Sequence, residues 1–145
     1  MYKTILIPTD GSEFCLRAIQ HGVALAKLTG GKVIGVTCTQ PLHTGTPRAM
    51  IPAHLAAIIH EQNEKYAAEN LAAVESAAKA ASVSVETIRA SNDHPWQAII
   101  ETAKAKGCDL IVMASHGRKG VSAMVLGSET QKVLTHSTIP VLVVR

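Results

Sequence analysis

Lys3-Thr4-Ile5-Leu6-Ile7-Pro8, near the amino terminus, leads directly into Thr9-Asp10-Gly11-Ser12. The first part is a short apolar run rich in β-branched residues, and the second part consists of turn-forming residues. A run of this kind that ends in Pro, Asp and Gly is typical of a buried strand entering a loop. Ser12 is placed to cap a helix, and apolar residues recur at steps of three and four from Cys15 until Gly30-Gly31. The stretch therefore predicts a first strand followed by a first helix.

Four more apolar runs follow, and helical patterns separate them. We expect strands at Lys32–Cys38, Val83–Ile88, Asp109–Ala114 and Pro140–Val144. We expect helices over Leu55–Ala81, from the capping segment Asn92-Asp93-His94-Pro95 to Lys106-Gly107, and from Ser128 to about His136. Strands that alternate with helices require right-handed crossovers and a parallel sheet. The sequence therefore predicts an α/β fold with five parallel strands.

Two local features qualify this pattern. Gly35 weakens the second strand unless a close packing contact makes a small residue useful there. Pro41, Gly45, Pro47 and Pro52 exclude a regular helix directly after the same strand. A loop of about ten residues is longer than most connections, so this segment is a lid candidate.

Length and composition limit the class of protein. The chain has 145 residues, 47% of them hydrophobic and only 3% aromatic, which favours one domain over residues 1–145 built from aliphatic side chains. The net charge of +3 is scattered without a basic run, which argues against nucleic-acid binding. No stretch is apolar enough to span a membrane. Three widely spaced cysteines and seven histidines form neither a disulfide framework nor a metal-ligand spacing. We therefore expect a soluble cytoplasmic protein.

Two turns after predicted strands carry the chemistry. One is Pro8-Thr9-Asp10-Gly11-Ser12, and the other is Ala114-Ser115-His116-Gly117, followed nine residues later by Gly127-Ser128. Glycine-rich turns and helix amino termini after parallel strands present backbone N–H groups that bind phosphate. If the first and fourth strands are neighbours, both turns border one crevice. Ser128 and Gln131 also match the S-x-x-Q capping box of a helix start.

These two turns, at this spacing, resemble those of the universal stress protein family. The resemblance covers the whole chain and includes Asp109-Leu110-Ile111-Val112-Met113 and the terminal Ile139-Pro140-Val141-Leu142-Val143-Val144. It implies a three-layer α/β/α sandwich with strand order 3-2-1-4-5, a Rossmann-like fold of the adenine nucleotide alpha hydrolase-like type. It also implies a homodimer formed through the last strands, and ATP, or AMP or ADP, held between strands 1 and 4.

The resemblance also assigns site residues by position. Asp10 would hydrogen-bond the ribose or the adenine edge, and Val36 would line the adenine pocket. Arg118 would be an additional phosphate partner. The remaining cofactor-binding residues that the resemblance implies are Pro8, Thr9, Met113, Ala114, Ser115, His116, Gly117, Gly127, Ser128, Glu129 and Thr130.

The sequence departs from the family pattern at two of these positions. The family pattern is G-x-x-G-(nine residues)-G-[ST], and Ala114 stands where its first glycine belongs. The extra methyl matters only if the φ of Ala114 is positive or its Cβ points at the ligand. Glu129 brings a carboxylate near the phosphates, which costs binding unless it faces solvent or a cation such as Mg²⁺ joins the site.

Several residues have a structural interpretation beside the functional one. Asp10 is also a common turn residue before Gly. His116 has no assigned nucleophile or orienting carboxylate, so a loop or phosphate contact is favoured over catalysis. Packing is the default role for Tyr66 and Trp96, and a buried thiol is favoured over a redox sensor at Cys38. We therefore assign no catalytic residue.

Three functions compete on this evidence. The first is a dimeric stress-response regulator in which ATP orders the lid and glycine loops for an unidentified protein partner. Slow ATP hydrolysis or self-phosphorylation, as in some relatives, stays open. The second is a dimeric interaction module without nucleotide. The third is a nucleotidyl-transferring enzyme, which would need an SGGxDS-type loop or HIGH-type and KMSKS-type segments that Thr9-Asp10-Gly11-Ser12-Glu13 does not supply.

In both dimeric hypotheses the contact between the two copies is the apolar edge strand, because an uncovered apolar edge strand favours pairing. Its residues are Val141, Leu142, Val143 and Val144.

Overall fold

The computed structural model describes residues 1–42, 51–117 and 126–145. Arg118 and the predicted lid positions Gly45 and Pro47 lie outside the described residues. The strands are β1 (Thr4–Pro8), β2 (Lys32–Thr39), β3 (Ser84–Ser91), β4 (Leu110–Ala114) and β5 (Val141–Val144). The helices are α1 (Glu13–Thr29), α2 (Ala53–Ala80), α3 (Pro95–Ala105) and α4 (Ser128–His136).

The five strands form one parallel sheet in the order β3-β2-β1-β4-β5. The predicted α/β fold and its strand order are therefore confirmed. The central strand β1 pairs with β2 on one side and with β4 on the other, so strand order reverses between β1 and β4. In an open parallel sheet this reversal opens a crevice at the carboxyl ends of the two strands.

Alternate side chains of the central strands enter two separate cores, because successive residues of a strand point to opposite faces of a sheet. Ile5 and Ile7 pack with α1 on one face, in a cluster that includes Ala18. Leu6 packs on the other face, in a cluster that includes Ile99 of α3 and Val133 of α4. Helices therefore cover both faces of the sheet, which gives the three-layer α/β/α arrangement.

Gly35 of β2 lies against α2. A Cβ atom at this position would be 3.0 Å from Cγ1 of Val74 and 3.5 Å from Cγ2 of Thr87. The close packing contact that the sequence required at Gly35 is therefore present. This contact holds α2 closely against β2, the strand that leads to the crevice.

The helix caps differ from the predictions at two serines, Ser12 and Ser128. Pro95 is the first residue of α3, as predicted. Ser12 is the N-cap residue of α1 but makes no side-chain cap bond. The predicted capping box of Ser128 and Gln131 is wrong, because Gly127 is the N-cap residue and α4 has no side-chain cap. The backbone N–H of Gly127 donates to the carbonyl of Ser115 at 2.8 Å, and this residue caps a helix that begins at Ser128 as predicted.

Candidate functional site

A cavity of about 680 Å³ opens at the carboxyl ends of β1 and β4. All but two of the predicted site residues line it. They are Pro8, Thr9, Asp10, Val36, Met113, Ala114, His116, Gly117, Gly127, Ser128, Glu129 and Thr130. Of the remaining two, Arg118 lies outside the described residues. Ser115 is buried behind the cavity wall, where its hydroxyl lies 3.0 Å from Nδ1 of His116.

Asp10 and Gly117 lie side by side on the wall of this cavity. A Cβ atom at Gly117 would lie only 2.5 Å from Oδ2 of Asp10. The other carboxylate oxygen, Oδ1, accepts hydrogen bonds from the backbone N–H of Ser12 at 3.0 Å and from Sγ of Cys15 at 3.2 Å. The turn role of Asp10 is therefore present, since its carboxylate closes the turn after β1, and the residue also lines the cavity, where the ligand contact stays a prediction.

Two hydrogen bonds join the start of α4 to the end of β4. The N–H of Gly127 donates to the carbonyl of Ser115 at 2.8 Å, and the hydroxyl of Thr130 donates to the carbonyl of Ala114 at 3.0 Å. A Cβ atom at Gly127 would lie 3.0 Å from the same Ser115 oxygen. A glycine suits this position because the two backbone segments are in close contact.

Ala114 does not disturb this turn. It is the last residue of β4, its φ is not positive, and it packs in the core cluster that contains Cys15 of α1. A side chain is tolerated at a strand end, where glycine's additional conformations are not needed. Ala114 therefore occupies the position of the family's first glycine without backbone strain.

The first turn of α4 presents backbone N–H groups to the cavity. Gly127 provides no side-chain cap, and the first N–H of the helix with a backbone acceptor is that of Gln131, which donates to Gly127. Within the described residues, the N–H groups of Ser128, Glu129 and Thr130 have no hydrogen-bond acceptor. Unpaired N–H groups at a helix amino terminus attract anions, and the helix dipole adds to this attraction.

Glu129 lines the cavity but its carboxylate has protein partners. Oε2 accepts a hydrogen bond from the backbone N–H of Trp96 at 2.9 Å, and Oε1 lies 3.1 Å from Nζ of Lys132. The carboxylate therefore links the first turn of α4 to the first turn of α3. Trp96 itself has the predicted packing role, since its ring lies against the second core and 4.5 Å from the ring of His136.

Sequence reasoning missed a further set of lining residues. Tyr66 was assigned to packing, but its hydroxyl lies 3.5 Å from the carbonyl oxygen of Asp10 at the cavity. The other missed residues are Cys15, Cys38, Gln40, Asp93, His94, Pro95, Ala98, Ile99 and Lys132. Several of them follow the carboxyl ends of β2 and β3, so the rule that located the two turns could have found them.

The two cavity thiols are poor nucleophiles. Burial raises the pKa of Cys15 and also that of Cys38, whose Sγ lies 3.5 Å from the carbonyl of Asn92. A raised pKa keeps a thiol protonated at neutral pH, and the thiolate is the reactive form. The geometry therefore supports the structural interpretation of Cys38.

Residues 1–42, 51–117 and 126–145 contain neither a metal-ligand cluster nor a membrane-spanning helix. In these residues no three His, Cys, Asp or Glu side chains are grouped closely enough to hold a metal ion. None of the helices described combines the length and the apolar character needed to cross a membrane.

The fold and the cavity define the class of this protein, and comparison with known sequences gives its family. A model of the universal stress protein family matches residues 1–145. The chain belongs to the universal stress protein family. It is 33% identical over 149 residues to the universal stress protein YxiE of Bacillus subtilis, and the match covers 100% of both chains.

Solved structures give the same result. The chain superposes on MJ0577 of Methanocaldococcus jannaschii with a TM-score of 0.83 and 28% identity, covering 99% of this chain and 96% of that one. A universal stress protein in complex with cAMP has a TM-score of 0.71 and 24% identity, covering 99% and 97%. One from Archaeoglobus fulgidus in complex with dAMP has a TM-score of 0.62 and 17% identity, covering 99% and 98%. At these last two identities the likeness shows the fold alone.

Proposed function

We propose that this protein is a dimeric stress-response regulator that binds an adenine nucleotide, ATP, ADP or AMP, in the cavity between β1 and β4. Residues 1–145 would form a single nucleotide-binding domain. One observation carries the proposal. The carboxylate of Asp10 and the N–H groups of Ser128, Glu129 and Thr130, which have no acceptor among the described residues, border the same cavity, and they would supply an acceptor for ribose hydroxyls and donors for phosphate.

The cavity has a suitable size and a suitable division of polarity. Its volume of about 680 Å³ is in the range of small-ligand sites, roughly 300 to 1,000 Å³. Val36, Ile99 and Met113 provide an apolar part that suits a purine base. The turn at Gly117 and the start of α4 provide the polar part. A nucleotide would therefore lie with its base towards β2 and α3 and its phosphates at α4.

Cations would affect the binding of polyphosphates. Asp10, Asp93 and Glu129 bring three carboxylates to the cavity wall, and Lys132 is the cation among the described lining residues. Mg²⁺ is commonly held by substrate phosphates with only one or two carboxylates. We therefore expect ATP to bind with Mg²⁺ rather than as the free tetraanion.

The family supports the proposal at a general level. Universal stress proteins with this fold hold cAMP in one solved structure and dAMP in another. Those likenesses extend to the fold only, so the assignment for this chain depends on the geometry of its own cavity. The three cysteines are free thiols, which is compatible with the reducing cytoplasm that we propose as its location.

Dimerisation would occur through β5. This strand is at the edge of the sheet, and the side chain of Leu142 is 41% exposed on it. Leu134 of the neighbouring helix α4 is exposed as well. An apolar edge strand with unpaired backbone groups favours pairing with a second copy.

Calorimetry on protein stripped of ligand tests the nucleotide part. We expect binding of AMP and of Mg²⁺-ATP, and we expect Asp10→Ala to weaken it roughly 10-fold to 100-fold, because a hydrogen bond to a charged group contributes about 1.5–3 kcal/mol. Glu61→Ala removes the same charge from an exposed position on α2 and serves as the control. Mass spectrometry of the freshly purified, denatured protein should also release adenine nucleotide. Absence of heat at about 1 mM nucleotide, which corresponds to roughly 4 kcal/mol of binding energy, would remove the proposal.

The interaction module without nucleotide remains the second candidate. The hydrogen bonds from Ser12 and Cys15 to Oδ1 explain Asp10 without any ligand. In that function Asp10→Ala would lower stability but leave partner binding intact. The calorimetric experiment separates the two candidates, because only the nucleotide-binding protein gives heat with AMP.

A further inference from the structure

Two helices present their amino termini to the cavity, and they are not equivalent. α3 begins at Pro95 and α4 begins at Ser128, and both residues line the cavity. Each helix start is a potential anion site, because the first N–H groups of a helix have no acceptor within the helix. The two helix starts differ in how many of these N–H groups already have an acceptor in the protein.

Every N–H group at the start of α3 is accounted for. The N–H of His94 donates to Oδ1 of Asn92 at 2.9 Å, and Pro95 has no N–H. The N–H of Trp96 donates to Oε2 of Glu129 at 2.9 Å. The N–H groups of Gln97 and Ala98 both donate to the carbonyl of His94, at 3.0 and 3.3 Å. The start of α3 is therefore closed to a phosphate.

The carboxylate of Glu129 is itself the anion at the start of α3. Its carboxylate takes the position that a bound anion would take, at an N–H of the first turn and near the positive end of the helix dipole. Glu129 also belongs to the first turn of α4, where Ser128, Glu129 and Thr130 have N–H groups without an acceptor in the described residues. A phosphate bound at α4 would thus lie close to a fixed negative charge.

We infer that Glu129 is a specificity-determining residue, an internal anion that closes the amino terminus of α3 and penalises each additional phosphate charge at α4. The inference rests on the proposed nucleotide function and extends it to the charge state of the ligand. Lys132 offsets only part of the penalty, because its contact with Oε1 is largely exposed to solvent. The site would accordingly favour nucleoside monophosphates and Mg²⁺-bound ATP over free ATP.

The test is a series of ligands of increasing charge, measured with the wild type and with Glu129→Gln. Gln keeps an acceptor for the N–H of Trp96 but removes the charge. The ligands are adenosine, AMP, ATP with EDTA and ATP with Mg²⁺. We expect the ratio of free-ATP affinity to adenosine affinity to rise on the order of tenfold in Glu129→Gln, because a negative charge close to the phosphates is removed. The increase should shrink as KCl is raised, and Glu61→Gln, an equal change in net charge at an exposed site, should not produce it.

Each outcome has a definite meaning. An unchanged affinity ratio in Glu129→Gln, with adenosine and AMP still binding, would overturn the inference and leave the nucleotide function standing. Failure of the wild type to bind even adenosine and AMP would overturn the proposed function and the inference with it. Hydrogen exchange provides a check without ligand, because Glu129→Ala should accelerate exchange of the Trp96 amide while Glu61→Ala should not. Unaltered exchange in Glu129→Ala would contradict the closed helix start.

Discussion

Replacing Gly117 by Ala should displace the carboxylate of Asp10. The new Cβ atom would lie 2.5 Å from Oδ2 and 3.5 Å from Cγ of Asp10, and no other described atom is within 4 Å. An overlap of this size requires movement of Asp10, whose Oδ1 is held by Ser12 and Cys15. Overpacking typically costs about 1–3 kcal/mol, so we expect the free energy of unfolding to fall by about 2 kcal/mol. Nucleotide affinity should fall roughly tenfold or more for the same reason.

A double-mutant cycle isolates the contact. In an Asp10→Ala background the two atoms that the methyl group would meet are gone, so Gly117→Ala should be nearly neutral there. It could even stabilise by about 0.5 kcal/mol, since Ala reduces the conformational freedom of the unfolded chain and Gly117 does not have a positive φ. Urea unfolding of the four proteins should give a coupling free energy of about 2 kcal/mol between the two positions. Additive costs would refute the geometry of the turn at Gly117.

Three further predictions concern the thiols and the sheet edge. Cys15→Ser, which keeps a donor to Asp10, should retain roughly threefold more nucleotide affinity than Cys15→Ala by calorimetry; equal affinities would show that the thiol does not orient the carboxylate. Burial, followed by the charge of Asp109, raises the pKa of Cys108 to about 11 from an ordinary value of 9.0. The stability contributed by the protonated thiol is present below pH 9 and is lost as the pH rises towards 11, so unfolding midpoints should fall less over this interval in Cys108→Ala than in the wild type. Leu142→Arg should shift the protein from dimer to monomer in sedimentation at a fixed concentration, and a wild type that is monomeric at high concentration would contradict the proposed interface.

The fold was accessible from the sequence because its signals are local. The apolar run of β1, the turn residues after it and the glycine that ends α1 each act within a few residues of the chain. Gly30 has the positive φ of +62° that a helix end favours. The error at the start of α4 has a different origin, because the carbonyl of Ser115 holds the N–H of Gly127 across a turn whose geometry no local pattern contains.

The candidate site was only partly accessible in this way. The two turns could be located because a parallel sheet brings the carboxyl ends of neighbouring strands together. The cavity position of Tyr66 could not be predicted from the sequence. Its hydroxyl reaches the turn after β1 only because α2 is packed against the sheet. The hydrogen-bond partner of Glu129 could not be predicted from the sequence either, because Trp96 is 33 residues away in the chain.

The sequence alone determined the alternation of strands and helices, the two glycine-containing turns and the family, because these depend on residue types at short spacings. The tertiary structure alone decided which charges and N–H groups remain available to a ligand. Asp10 lies against Gly117, and Glu129 of α4 accepts a hydrogen bond from the N–H of Trp96 at the start of α3. Such pairings depend on distances between segments that are remote in the chain, and only packing of the helices on the sheet sets those distances.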